Sequence, residues 1–228
     1  MSNEMKKIIN QARTSWVLSY GDMVTLLITF FIMMISVNAG QINKIHGWVS
    51  DRLDDSAIEV QEAMDEAGIQ EISISRNSKG VQITLNDPRL FEVASAQPRQ
   101  NYLYQLDAVA SSIQNLSIFH LHETEHKNFL REIESSGLQW LAEIRIEGHT
   151  DDMRLTENAQ YRDNWELSAA RAQSIMLQLQ ERTGLPASIF AIGGFGEFQP
   201  IGDNNDQAGR ELNRRVEIYI GASLVKTL

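Results

Sequence analysis

An isolated acid, Asp22, lies inside the one long apolar run of this sequence. The run extends from about Trp16 to Ala39, and no other charged residue occurs between Arg13 and Lys44. A carboxylate in hydrocarbon costs roughly 2.5–3.5 kcal/mol on insertion scales, so an acid kept there needs a partner or a function. The chemistry open to it is to bind and release a cation, either a proton or Na⁺.

Small and hydroxyl side chains accompany this acid at helical spacing. Steps of three and four residues share one helix face, and they select Ser15, Ser19, Asp22, Leu26, Thr29, Met33 and Ser36. One reading is a packing seam whose acid pairs with a cation on a partner helix. The other is an ion carrier, for which Asp22, Ser19 and Thr25 are the candidate ion-translocating residues. We expect no cofactor beyond the transported H⁺ or Na⁺.

The apolar run is long enough to cross a membrane. Its 24 residues lie near the ~20 that span hydrocarbon, whereas the apolar part of a signal peptide has roughly 7–15. Val37-Asn38-Ala39 offers the small-residue pattern of a signal cleavage site, so that alternative stays open. An acid would be unusual in a signal peptide, and we predict a transmembrane helix at 16–39.

Charge predicts the orientation and excludes some partners. Lys6, Lys7 and Arg13 precede the span, and the bias of Lys and Arg puts residues 1–15 in the cytoplasm. The chain is then a single-pass membrane protein whose bulk lies outside the cytoplasm. A net charge of −10 argues against nucleic acid as a partner. The absence of cysteine excludes disulfides and thiolate chemistry.

A short amphipathic helix is predicted directly after the span, within a plug and linker segment at 40–70. Its apolar positions recur at helical spacing: Ile42, Ile45, Val49 and Leu53. Two interpretations remain open. The helix is either a stalk or juxtamembrane coiled coil, or a plug that lies on the membrane surface and blocks ion flow.

From about Ile72 the pattern becomes that of an α+β domain. Alternating apolar and polar residues predict strands at 72–75, 81–85, 144–147, 189–192 and 215–220. Helical spacing predicts one helix at 103–113 and a second that Ser168 caps and Gly184 ends. Gly193 and Gly194 are expected to form a turn. Strands and helices interleave, which favours helices on one face of a small mixed sheet.

Motifs in both halves of the chain resemble known families. GHTDD at 148–152, NWELSAARA at 164–172, GFG at 194–196 with Pro200, and NRRVE at 213–217 resemble the OmpA-like peptidoglycan-binding domain. Trp16, SYGDM at 19–23, Thr25-Leu26 and Phe30-Phe31 resemble the MotB-type ion-driven stator subunits, although Gly21 stands where that family usually has Ala. The resemblance covers nearly the whole chain. It implies a single-pass protein of the bacterial inner membrane, with a β-α-β-α-β-β domain at 71–228 in the periplasm.

This resemblance also implies a ligand, the diaminopimelate of uncrosslinked peptidoglycan stem peptides. Asp151 would face its ammonium group and Arg171 its carboxylate, since a zwitterion needs an acid and a guanidinium. Asn164, Leu167 and Arg215 match neighbouring motif positions and would shape the pocket. The alternative is that Asp151 and Arg171 form a structural ion pair with each other.

The resemblance further implies a motor, in which Asp22 carries the ion. Two copies of the chain would form a homodimer inside a ring of five MotA-like membrane subunits, and ion flow would turn that ring to rotate a flagellum. The short linker of about 30 residues favours an alternative, the ZorB subunit of Zorya antiphage systems. A second alternative is a passive OmpA-like cell-wall tether. None of the three is an enzyme.

An insertion at about 115–140 departs from the OmpA-like pattern. Residues 122–126 spell H-E-x-x-H, the helical motif of zinc proteases. We reject a protease because charged residues stand where such enzymes are apolar and no third ligand is evident. We predict a solvated insertion helix and no functional metal site, although His122 and His126 could bind zinc adventitiously. The apolar residues expected to hold this helix down are Phe119, Phe129 and Leu130.

Overall fold

The computed structural model describes residues 3–121 and 127–226, in two compact units, one ending at Trp48 and the other beginning at Val49. In the first unit, helix α1 (Asn3–Glu66) contains a stretch from Trp16 to Ser36 with a mean hydropathy of 1.8. Its large apolar side chains are exposed. Within the described residues, this is the one helix long and apolar enough to cross a membrane.

The second unit includes the end of α1. Leu53, Val60 and Met64 lie on one face of that helix and are buried in the core of the unit. The helix stops at Gly68, which adopts a positive φ of 69°, and the Ile69 amide donates to the Met64 carbonyl oxygen at 3.0 Å. The structural division therefore falls before residue 49, earlier than the predicted domain start at residue 71.

The predicted plug falls partly outside what the structure describes. Helix α1 continues through this region, but the side chains of Ile42 and Ile45 are outside the described ones. The plug therefore stays a prediction. Val49 and Leu53, at the other end of the same amphipathic pattern, belong to the second unit, where they contribute to its core.

A five-stranded sheet forms the centre of the second unit, in the order β1-β2-β5-β3-β4. Its strands are β1 (Ile72–Asn77), β2 (Gly80–Leu85), β3 (Leu138–Gly148), β4 (Phe190–Gly194) and β5 (Val216–Lys226). β3 and β4 are parallel, whereas the other neighbours are antiparallel. The register pairs Gly148 with both Gly194 and Val216, so the ends of three strands meet at one edge of the sheet.

Two helices pack on the sheet through its buried apolar face. The helices of the second unit after α1 are α2 (Leu103–Asn115), α3 (Lys127–Ser135), α4 (Asn164–Thr183) and α5 (Gln207–Asn213). Side chains of α2 and α4 form one cluster with alternate residues of the strands, including Ile146 and Ile218, which are fully buried. Each such side chain contributes about 1.5–3 kcal/mol. The α+β prediction is confirmed.

The strand and helix order contains the predicted β-α-β-α-β-β series as β2-α2-β3-α4-β4-β5. Among the described residues after position 71, one strand and two α-helices are added to it. β1 joins the sheet beside β2, α3 precedes β3 within the insertion, and α5 lies between the last two strands.

One predicted helix boundary was wrong. Helix α4 begins at Asn164 and not at Ser168, because Asp163 is its N-cap and accepts the Glu166 amide at 2.9 Å. Ser168 lies inside the helix, where its hydroxyl donates to the Trp165 carbonyl oxygen at 2.8 Å. The predicted end at Gly184 is confirmed, since Gly184 is the left-handed C-cap.

The predicted turn at Gly193 and Gly194 was also wrong, because both residues belong to β4. A Cβ atom on Gly194 would lie 2.6 Å from the backbone nitrogen of Ala169, and one on Gly148 would lie 2.1 Å from the Ser168 carbonyl oxygen. These two glycines therefore allow α4 to lie directly against β3 and β4. The sequence pattern could not predict that α4 packs against these glycines, so it suggested a turn instead.

The insertion is anchored to the second unit by buried apolar residues. Leu121, Leu130 and Ile133 are almost fully buried, and the Trp140 indole donates to the Ile118 carbonyl oxygen at 3.1 Å. The H-E-x-x-H segment at 122–126 lies outside the described residues, as does the side chain of Phe129.

Candidate functional site

Asp151 lies just beyond the carboxyl end of β3, beside the start of α4. Backbone hydrogen bonds fix the segment that carries it: the Thr150 amide donates to the Gly196 carbonyl oxygen at 2.9 Å, and the Phe195 amide donates to the Gly148 carbonyl oxygen at 3.0 Å. These bonds tie the ends of β3 and β4 together. Asp151 therefore stands on a rigid edge and not on a free loop.

The carboxylate of Asp151 is partnered within the chain. Its Oδ2 accepts a hydrogen bond from Arg214 Nη1 at 2.6 Å, and its side chain is only 11% exposed. The predicted alternative was an ion pair between Asp151 and Arg171. Among the described residues, the cation that pairs with Asp151 is Arg214.

Helix α4 supplies three of the predicted residues from one face. Asn164, Leu167 and Arg171 follow each other at steps of three and four, which aligns them along the helix. The Asn164 amide group donates to the carbonyl oxygens of Asp151 at 3.2 Å and Met153 at 3.0 Å. It thereby holds the segment after β3, and Leu167 adds a buried apolar surface beside it.

Arg171 is buried, and it holds the loop after β2. Its Nε donates to the Ser95 carbonyl oxygen at 2.9 Å, and its guanidinium lies 4.8 Å from the ring centroid of Phe91. Burial lowers the pKa of Arg171 to about 10, an effect that the nearby charge of Asp151 partly offsets. The side chain therefore remains a cation at neutral pH.

Arg214 was missed in the sequence, and Arg215 takes a different position from the one predicted. Arg215 is buried away from the cleft, where its Nε donates to Glu217 Oε1 at 2.5 Å. Neighbouring residues of an extended chain point to opposite sides. Val216 and Ile218 face the helices, so Arg214 shares their side of the sheet and Arg215 shares that of Glu217. The alternation of apolar residues at 216, 218 and 220 could therefore have identified Arg214 as the arginine on the cleft side.

Most of the site residues described above line one cleft of about 510 Å³. Asp151, Asn164, Leu167, Arg171 and Arg214 all contribute to it, whereas Arg215 does not. Its remaining walls come from the loop after β2 and the segment after β3. The loop after β2 could not be assigned from the sequence, because residues 86–99 show neither helical nor strand periodicity.

The cleft carries more positive than negative charge, although the chain as a whole is acidic. Five arginines line it, against three acids: Arg89, Arg99, Arg154, Arg171 and Arg214, and Asp87, Glu92 and Asp151. Thr150 adds a buried hydroxyl oxygen that has no hydrogen-bond partner within the described residues. Such a cleft suits a ligand that bears both charges, with its carboxylates in excess.

A second buried cluster lies around the end of β3 and the start of β5. Glu147, His149 and Glu217 place ligand atoms within 4.8 Å of one another and could hold a metal ion by geometry. Arg215 and Tyr219 already donate to the two oxygens of Glu217, at 2.5 and 2.7 Å. Burial would raise the pKa of Glu217, but the His149 imidazole 3.6 Å away and hydrogen bonds from Tyr219 and Arg215 outweigh it and lower that pKa to about 2. We therefore assign this cluster a structural role.

The candidate ion-translocating residues lie on α1, in the first unit. Asp22, Ser19 and Thr25 are exposed there. The Thr25 hydroxyl donates to the Asp22 backbone carbonyl oxygen at 2.9 Å, and Thr29 bonds the Leu26 carbonyl oxygen in the same way. The hydroxyl groups are thus satisfied inside the helix, and their role in ion transfer stays a prediction.

Comparison with known proteins assigns both halves of the chain. Residues 3–51 match the family model described as the membrane MotB of the proton-channel complex MotA/MotB, and residues 121–214 match the OmpA family model. The Bacillus subtilis protein YtxE is 24% identical over 248 aligned positions, which cover 94% of this chain and 91% of that protein.

Motility protein B of Bacillus subtilis is 30% identical over 150 residues, or 66% of this chain. The match spans about half of that relative, 48% of its length. A crystal structure of a MotB-like protein from Desulfovibrio vulgaris shares the fold, with a TM-score of 0.59 at 20% identity, over 78% of this chain and 95% of that one. The chain is therefore similar to MotB proteins in its membrane segment and to OmpA-like domains in the part that follows.

Proposed function

We propose that this chain is a peptidoglycan-anchored stator subunit of an ion-driven rotary motor. The observation that carries the proposal is the isolated acid Asp22 in an exposed apolar helix, on a chain whose second unit bears a cleft of paired charges. The similarity to Motility protein B supports flagellar rotation as the output.

The membrane helix supplies the moving charge in this proposal. Asp22 binds and releases H⁺ or Na⁺, and Ser19 and Thr25 line the path beside it. The charge bias puts the N-terminus in the cytoplasm. Because a single exposed helix cannot enclose an ion path, the proposal requires a second copy of the chain and MotA-like subunits to cover it.

The cleft supplies the anchor. The ammonium group of a diaminopimelate stem lies against Asp151, where it shares the carboxylate with Arg214. A ligand carboxylate binds Arg171, whose guanidinium keeps its charge and is already oriented by the Ser95 carbonyl oxygen. A fixed guanidinium loses little freedom on binding, so this arrangement favours a carboxylate ligand.

Two variants of the full chain, expressed with its MotA-like partners, test the two halves separately. Asp22→Asn should abolish ion flow and motor output but leave binding to isolated cell walls unchanged. Asp151→Asn should weaken wall binding without removing the ion carrier. Asp51→Asn is the matched control, since Asp51 is an exposed acid on the same helix outside the span.

The outcomes separate the candidates. Full ion-dependent output from Asp22→Asn would rule out the motor and leave a passive tether. Unchanged wall binding in Asp151→Asn would remove the anchor from this cleft. Measuring output while pH and Na⁺ are varied independently identifies the ion, since only the coupling ion should change the rate at saturating membrane potential.

One observation favours a second output, antiphage defence of the ZorB kind. The second unit begins at Val49, only 13 residues after the apolar stretch ends at Ser36, which suits a compact machine more than a long flagellar tether. A deletion strain distinguishes the two outputs. Loss of swimming with normal phage resistance supports the flagellar motor, and the reverse result supports defence.

A further inference from the structure

Two large aromatic side chains stand exposed beside the cleft. Trp165 is 52% exposed and Phe198 is 65% exposed, and their ring centroids lie 5.2 Å apart at an interplanar angle of 47°. Such side chains usually contribute to a core, and paired exposure at one place indicates a binding surface.

The two rings belong to residues next to the cleft wall, although neither ring lines the cleft itself. Trp165 directly follows Asn164, which lines it. Phe198 directly follows Glu197, whose Oε2 accepts a hydrogen bond from the Asn164 amide at 2.7 Å. The Asn164 side chain therefore links the start of α4, which carries Trp165, to the loop that carries Phe198.

The backbone around the pair is held in place. Gly196 has a positive φ of 54°, and a Cβ atom there would lie 3.3 Å from the Trp165 backbone nitrogen, so the loop packs closely against the start of α4. The Phe198 amide donates to the Phe195 carbonyl oxygen at 3.2 Å. A rigid aromatic surface loses little entropy when a ligand binds.

We propose that Trp165 and Phe198 form a glycan subsite that stacks on a pyranose ring of the peptidoglycan strand whose stem peptide occupies the cleft. This inference rests on the proposed wall-anchoring function. The C–H face of a pyranose is apolar and packs on aromatic rings, while its hydroxyl groups need polar partners such as Glu197. Because the stem peptide is covalently attached to the glycan, the sugar must lie within reach of the cleft.

Charge distinguishes this occupant from a membrane surface. Glu166 and Glu197 are the sequence neighbours of the two aromatic residues, and their carboxylates accept hydrogen bonds from the Arg162 amide and the Asn164 side chain, with no salt bridge to either acid within the described residues. An anionic lipid surface would be repelled by these carboxylates. A neutral sugar is not repelled, and its hydroxyl groups can donate to them.

The test compares two probes with the full chain in detergent micelles, by isothermal titration calorimetry. One probe is the L-alanyl-γ-D-glutamyl-diaminopimelate tripeptide, and the other is the same tripeptide on its N-acetylglucosaminyl-N-acetylmuramyl disaccharide. The wild-type chain should bind the disaccharide form about 3- to 10-fold more tightly, the range expected for aromatic contacts of this kind. Trp165→Ala and Phe198→Ala should remove that difference and leave tripeptide affinity unchanged.

Two further variants complete the design. Leu177→Ala is the matched control, because Leu177 is an apolar residue of α4 that is 51% exposed and does not line the cleft. It should change neither affinity. Asp151→Asn should weaken both probes equally.

Three other results would overturn the glycan subsite. Equal wild-type affinity for the two probes overturns the glycan subsite while the peptide anchor stands. An equal loss of both affinities in Trp165→Ala also overturns it, since the ring would then only support the cleft. Failure of the wild-type chain to bind either probe rejects the peptidoglycan anchor and the subsite with it.

Discussion

Asp151 and Asp22, the two acids on which the proposed function depends, differ in whether the same chain supplies a partner for their carboxylates. Asp151 is almost buried and receives a charged hydrogen bond from Arg214 of the same chain. Asp22 stands on an exposed helix face, and the Thr25 hydroxyl one turn along the helix bonds its backbone carbonyl oxygen.

This difference indicates that one chain can form the binding cleft alone but cannot form the ion path alone. The cleft brings together residues from the ends of β3 and α5 and from α4, so its geometry is fixed by the core of a single unit. A membrane helix has no such core, and its polar residues gain partners only from other helices. The anchor should therefore be intact in an isolated chain, whereas ion transfer should require the assembly.

The largest expected effect concerns the buried pair of Arg215 and Glu217. Arg215→Ala would leave Glu217 buried without its guanidinium partner, and we expect a loss of about 3–5 kcal/mol in the free energy of unfolding. Chemical denaturation of the chain in micelles, followed by circular dichroism, measures it. Arg162→Ala is the control, since Arg162 forms an exposed pair with Asp163 and should cost no more than about 1 kcal/mol. Equal stability of the two variants would show that Arg215 does not stabilise the fold through Glu217.

Acid should weaken the second unit through the same carboxylate. The pKa of Glu217 is lowered from 4.5 to about 2 in the folded chain. Its stabilisation is therefore fully present above pH 4.5 and is lost as the pH falls towards 2, by about 3 kcal/mol in all. Denaturation curves of the wild type and Glu217→Gln should converge over that interval. Parallel pH profiles would show that Glu217 is not the group responsible.

Substitution of Arg214 should lower ligand affinity, whereas substitution of the neighbouring Arg215 lowers stability. Arg214→Gln removes a cleft cation that orients the Asp151 carboxylate and attracts the ligand carboxylates, and we expect stem-peptide affinity to fall about 10- to 100-fold, the equivalent of one charge-assisted hydrogen bond. Stability should fall less than in Arg215→Ala, because the Arg214 side chain is 31% exposed and water screens its pair with Asp151. Calorimetric titration measures the affinity. Arg145→Gln, on the sheet away from the cleft, is the control and should bind normally.

The smallest effect should come from the membrane helix. Thr25→Val removes a hydroxyl that bonds the Asp22 backbone, and we expect ion flux in the assembled motor to fall about fivefold, the equivalent of ~1 kcal/mol. Thr25→Ser should restore it. A flux as low as that of Asp22→Asn would instead make the hydroxyl an essential ion ligand, and the membrane site would then depend on more of this chain than its acid.

Sequence patterns predicted the α+β class, because alternating apolar residues such as Ile144, Ile146, Ile218 and Ile220 are a direct consequence of a half-buried sheet. Helix ends were less predictable. Asp163 and Ser168 are both good N-caps by residue type. Only the packing of Ser168 against the loop at Gly196, whose amide it accepts at 2.9 Å, shows that it belongs inside the helix.

The sequence by itself determined the isolated acid, the length of the apolar run and the motifs of both halves, since these depend on residue type and order alone. Only the tertiary structure decided that Arg214 and not Arg215 faces Asp151, that Arg171 is oriented by the loop after β2, and that the end of α1 completes the core. The physical reason is that side-chain partners separated by tens of residues are chosen by packing. Local patterns report only the conformation of the chain near each residue.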